Sequence, residues 1–254
     1  MQKQKGADKK QELKEILQRL NEGENTDQVK KEAQQLLQEI DPKELSEAEQ
    51  QLINEGLPET ELRHLCEAHI EAVREELENL KLKLSPGHPL HTLIAEHDEI
   101  LDILDRLEEV NQKIQKLDEY DPESELFSEL KEVASQLIET EKHHEREEET
   151  IFPEVDRSGI TGPTRIMRME HEDMWPRKEK ISELAEEAES MKFGQFQKEL
   201  AENAEYLILN LTDHIFKENH ILYPTAESVI TEEDWQEIKK RCDEIGYCSF
   251  TPGK

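Results

Sequence analysis

Two stretches of the chain place a histidine and a glutamate four residues apart, then close on an aromatic residue and a proline. His143 and Glu147 lie in HHEREEETIFP, and His214 and Glu218 lie in HIFKENHILYP. Phe152 and Pro153 end the first stretch at the same offsets at which Tyr223 and Pro224 end the second. Residues four apart on a helix stand one turn apart on one face, so an imidazole nitrogen and a carboxylate oxygen can aim at one point. Two further histidines, His97 in EHDE and His171 in EHED, share a register of their own. The offsets agree, since 214 − 143 = 71 and 171 − 97 = 74. The chain therefore repeats one unit: a helix with a single inward histidine, then a helix with H-x-x-x-E.

Converging imidazoles and carboxylates inside a bundle are costly without a counter-charge, which a metal pair supplies. Mixed nitrogen and oxygen donors suit iron, with manganese and zinc ranked behind it. Two carboxylates able to bridge suit a pair of irons, joined through an oxo or hydroxo group. A lone histidine on a helical stripe is more often a packed core residue. Duplication of the register on four helices argues against that reading. The expected ligands are His97, His143, Glu147, His171, His214 and Glu218. His144 and Glu148 repeat the H-x-x-x-E spacing one residue out of step, so either pair can bind. The proline register favours His143 with Glu147. His91 has a separate route to the centre from its helix end.

The elements that must carry these residues are helices. Charged residues make up 37% of the 254 and aromatics 5%, a profile of amphipathic helices rather than a β-sandwich. Leu90, Leu93, His97, Ile100, Leu104 and Leu107 recur at 3-4-3-4-3 spacing, the inward face of a bundle helix over about 89–118. Further helices are predicted over about 123–150, 163–190 and 195–222, the second and fourth ending at their prolines. A last helix over about 231–245 is capped by Thr231. The predicted fold is all-α, an up-down-up-down four-helix bundle. SPGHP at 85–89 divides it from a small helical region at 1–84, giving domains 1–84, 85–230 and a C-terminal helix and tail at 231–254. In the first of these, helical patterns run over about 8–20 and 26–40, and Ser46 with Glu49 opens a short helix.

A net charge of −30 argues against nucleic acid and anionic membrane surfaces as partners. The N-terminus has no apolar stretch, and the run YLILNL is too short to span a bilayer. Cys66, Cys242 and Cys248 form no even framework and no C-x-x-C, which points to a reducing cytoplasm.

The doubled H-x-x-x-E followed by F-P or Y-P resembles the hemerythrin-like, or HHE cation-binding, family over about 88–230. That resemblance implies a di-iron centre in a four-helix bundle. The oxygen carriers of the family have a second histidine four residues after the third-helix histidine. Here that position is Trp175, so an iron is expected to keep an open position or to borrow another ligand. The first 85 residues, with LCEAH, are similar to a helical domain of unknown function that precedes hemerythrin-like domains in some archaeal and bacterial proteins. Such relatives often continue into a PAS sensory domain after the point matching IGYCSFTPGK.

The resemblance implies a cytoplasmic binder or sensor of oxygen, nitric oxide or redox state, with a small diatomic molecule or peroxide as ligand. The N-terminal domain leaves room for a protein signalling partner. The alternative is a di-iron enzyme that reduces peroxide or nitric oxide, or repairs iron centres; no catalytic residue is assigned. Outside the main constellation, Cys66 and His69 with His88 and His91 have a spacing that could hold a zinc, although a thiol and histidines at a domain junction are the plainer reading. His64 and His220 are expected at the surface. Tyr223 is read as packing, or as a hydrogen-bond donor behind the ligands.

Overall fold

The computed structural model describes Leu77 and residues 80–253. The predicted helices over 8–20 and 26–40, the Ser46 cap, His64, Cys66 and His69 lie outside these residues. The chain divides into two compact units; Leu84–Glu218 with Val229–Lys254 form the one that carries the site, and Asn219–Ser228 belong to the other.

The described residues are helical, with no strand among them. Helix α1 runs Pro89–Ile114, α2 Glu125–Glu139, α3 Glu141–Arg146, α4 Phe152–Arg157, α5 Gly162–Glu187 and α6 Phe193–Lys217. Two wide π turns, Glu147–Ile151 and Glu218–Leu222, interrupt this series, and α7 (Tyr223–Val229) and α8 (Glu232–Ile245) complete it. Helices α1, α2, α5 and α6 close a ring in which each packs on the next and α6 returns to α1. That is the predicted four-helix bundle.

The apolar stripe of α1 is buried throughout, and Leu104 and Leu107 meet Leu130, Leu137, Leu184 and Leu207 in one core. Burial of such side chains stabilises by about 1.5–3 kcal/mol each. The core fixes the four helices against one another and so fixes where their polar residues converge.

The predicted ends of the second and fourth helical stretches are corrected by the structure. The chain does not stop at Pro153 or Pro224 but continues as α4 and α7. A proline inside an α-helix clashes with the carbonyl four residues back and donates no hydrogen bond. Ahead of Pro153 the winding widens, and the Phe152 N–H bonds the Glu147 carbonyl five residues back. The widened turn admits the proline without ending the helix.

Helix α1 opens at His88, whose Nδ1 accepts from the Leu90 N–H at 3.2 Å and whose ring packs 4.7 Å from Trp235. Helix α8 opens at Thr231 as predicted, with Oγ1 accepting from the Asp234 N–H. It packs on α1, α3 and the first π turn. No helix among the described residues is long and apolar enough to cross a membrane.

Candidate metal centre

His143 and Glu147 stand one turn apart at the junction of α3 with the first π turn. His214 and Glu218 repeat this at the end of α6, while His97 enters from α1 and His171 from α5. All six are buried. His97 Nε2 lies 3.1 Å from His143 Nε2, and His171 Nε2 lies 2.8 Å from His214 Nε2. The four imidazoles therefore form two pairs. Glu218 spans them, with Oε2 3.1 Å from His97 Nε2 and Oε1 2.9 Å from His214 Nε2. Glu147 Oε2 lies 3.6 Å from His143 Nε2 and 3.8 Å from His171 Nε2, again between the pairs.

Behind the imidazoles stands a layer of carboxylates. His143 Nδ1 donates to Glu96 at 2.8 Å, His214 Nδ1 to Glu170 at 2.8 Å and His171 Nδ1 to Glu148 at 2.6 Å. These bonds place the ring proton on Nδ1 and leave Nε2 as a bare lone pair aimed inward. Two of the carboxylates are themselves held by cations. Arg146 donates to Glu96 at 2.6 Å, and Lys217 donates to Glu170. Thr251, in the C-terminal tail, donates its hydroxyl proton to Glu96 at 2.5 Å.

The electrostatics follow from these contacts. Burial opposes ionisation of Glu96, but His143 and Arg146 outweigh it and hold the carboxyl at about 2. Burial likewise opposes a charged Glu218, and His214, His171 and His97 hold it well below the usual range. Burial lowers His143 to about 4 in spite of its bond to Glu96. Burial would lower His214 too, yet Glu218 and Glu170 raise it to about 8.

The donor set fits a metal. With their Nδ1 atoms bonded to carboxylates, the neutral rings of His171 and His214 turn lone pairs toward each other at 2.8 Å, which repel unless a cation lies between them. Nitrogens bound about 2.1 Å from one ion at right angles stand about 3 Å apart, the spacing seen within each pair. Without metal, Glu218 and Glu170 favour a proton on His214 in its place.

Every residue expected in the main constellation is therefore brought to this centre. The two out-of-step residues have separate places. Glu148 stands behind His171, while His144 is buried beside His171 and His214, their three ring nitrogens within 4.8 Å of one another. His91 is half-buried and belongs to none of the metal-competent groups among the described residues. His88 caps a helix, and the Cys66 and His69 grouped with it and His91 lie outside the described residues. His220 was expected at the surface and is buried, as is Tyr223.

Glu96, Glu170, Arg146 and Lys217 went unassigned in the sequence, although their signal was there. Each inward histidine follows a glutamate, with 170 − 96 = 74, and each H-x-x-x-E carries a basic residue three after its histidine, with 217 − 146 = 71. The repeat thus encodes the support of the ligands as well as the ligands.

Comparison with known proteins agrees with this geometry. Residues 88–226 match the hemerythrin HHE cation binding domain, and residues 13–79 match a family of unknown function, DUF438. No curated protein matches the chain. With more than half of its 254 residues in that match and a buried histidine–glutamate cluster at its centre, the chain belongs to the hemerythrin HHE cation-binding family and is a metal-binding protein.

Proposed function

We propose that the chain holds two iron ions, one by His97 and His143 and one by His171 and His214, and through them binds or senses oxygen, nitric oxide or redox state. Glu147 and Glu218 are assigned to both ions. The observation that carries this reading is Glu218, whose two oxygens face imidazoles of opposite pairs at 3.1 and 2.9 Å. A carboxylate so placed serves two ions better than one.

An iron pair would supply reversible electron transfer and coordination positions for a small oxidant. The residues of the chain do the rest. Glu96, Glu148 and Glu170 fix the imidazole tautomers and orient the rings. The buried setting keeps bulk water from the ligands and strengthens each charge interaction. The N-terminal segment that matches DUF438 is the part through which a protein partner would receive the signal.

Anaerobic loading with ferrous iron followed by elemental analysis should find two irons per chain. Stopped-flow mixing with oxygen, nitric oxide and peroxide then separates roles. Stoichiometric binding with a stable optical product supports the sensor, and repeated consumption of peroxide or nitric oxide in the presence of a reductant supports the enzyme. One zinc per chain, or no iron retained, would overturn the reading.

A further inference from the structure

The cation–carboxylate–imidazole arrangement occurs a third time, in one half of the bundle only. Lys178 is fully buried and donates to Glu141 at 2.7 Å and to the Thr140 hydroxyl at 2.6 Å. His144 Nδ1 lies 3.3 Å from the same Glu141 oxygen. Lys178 Nζ also lies 3.5 Å from that nitrogen, within reach of its third proton. Lys178, Glu141 and His144 thus bring together a cation, a carboxylate and an imidazole, as Arg146, Glu96 and His143 do and as Lys217, Glu170 and His214 do, with a longer contact between carboxylate and ring.

The internal repeat shows that this cluster is not required to fill space. Its counterparts lie at 140 + 71 = 211, 144 + 71 = 215 and 178 − 74 = 104, and they are Leu211, Ile215 and Leu104. All three are buried in the core. Apolar side chains therefore serve in one half where Thr140, His144 and Lys178 stand in the other. A buried polar cluster costs more than the apolar packing it replaces unless each group is used. Thr140 and Glu141 are used by Lys178, and Glu141 by His144. A ring nitrogen of His144 also lies within 4.8 Å of ring nitrogens of His171 and His214, in that half of the centre.

We propose that His144 is a third imidazole ligand of the ion on the His171 and His214 side. The two ions then differ, one held by three imidazoles and the other by two, with Glu147 and Glu218 shared. This rests on the two-ion reading above. It also gives Lys178 a purpose: its charge holds Glu141 and Thr140 beside the Nδ1 edge of His144, which limits how the ring can turn.

A packing role for the ring makes a different prediction, because His144 stacks on His171 with centroids 3.8 Å apart and planes 7° from parallel. His144→Phe keeps the stacked ring and removes the nitrogen. His144→Ile copies Ile215, a side chain the repeat already accommodates. Both full-length variants, checked for helicity by circular dichroism, are titrated anaerobically with cobalt(II), whose visible bands report the number of ligands. Wild type should bind two ions per chain. In each variant one ion should keep its wild-type affinity, while the other weakens at least about tenfold and its bands change. Two ions bound by both variants with wild-type affinity and bands would overturn the role of His144 and leave the two-ion reading standing. Fewer than two ions in wild type would overturn that reading, and this inference with it.

Discussion

Glu96 and Glu170 hold equivalent imidazoles, yet they sit in different surroundings, and the difference is testable. Glu96 and its partner Arg146 are almost fully enclosed, whereas about a quarter of the Glu170 and Lys217 side chains is exposed. Glu96→Gln leaves Arg146 buried without a counter-charge, and breaking a buried pair in this way costs about 3–5 kcal/mol. Glu170→Gln should cost clearly less, because water reaches Lys217 and takes over part of the lost interaction. Each variant should also weaken metal binding by about 10–100-fold through the loosened imidazole. Urea unfolding of the metal-free variants, beside a metal titration, checks both expectations. Equal losses of stability would show that burial does not set the worth of these pairs. The ligands themselves were legible in the sequence because their spacing repeats. His144 was less so, since neighbours on a helix point about 100° apart and a narrow inward stripe admits only one of them. A helix wedged between two others buries a wider face, and both His143 and His144 lie within it.

At the scale of the element, the inward stripes and the four helices of the ring followed from the 3.6-residue period. The π turns did not, because any reading at fixed period assumes constant winding. Pro153 and Pro224 were read as helix ends for the reason that they break α winding, whereas the chain widens ahead of them and goes on. Their recurrence one residue after an aromatic was the available signal, since a mere stop needs no conserved register within the repeat. His88 is a chemistry-bearing residue type used for capping, in line with its plainer reading. His88→Ala should lower stability by about 1 kcal/mol through loss of the bond to the Leu90 N–H. Metal content of His88→Ala and His91→Ala should match wild type. Loss of a bound ion from either variant would restore the H-x-x-H site that the spacing suggested. Thermal unfolding and elemental analysis on the same preparations decide it.

For the whole molecule, the buried histidines make metal-free stability depend on pH in two opposed ways. His214 titrates near 8 when folded and near 6.5 when unfolded, so it favours the folded state fully below pH 6.5. That contribution is lost as pH rises through about 8. His143, lowered to about 4, and His144, lowered well below 6.5, act the other way. Both stay neutral in the fold while the unfolded chain takes up protons, so stability falls as pH drops below 6.5. Glu96, Glu170 and Glu218, all lowered, contribute stability that is lost only as pH falls from 4.5 downward. Metal-free protein should therefore be most stable near pH 6.5 and should lose roughly 1.5 kcal/mol by pH 8.5 as His214 gives up its proton. With metal bound, the ion takes the place of the His214 proton and this loss disappears. Protons also compete less for imidazole at the higher pH, so binding tightens and adds stability by mass action. The gap in Tm between metal-loaded and metal-free protein should widen from pH 6.5 to pH 8.5. A gap that stayed constant or narrowed would mean that His214 does not exchange its proton for the metal, and that the imidazole pair it forms with His171 is not where the ion binds.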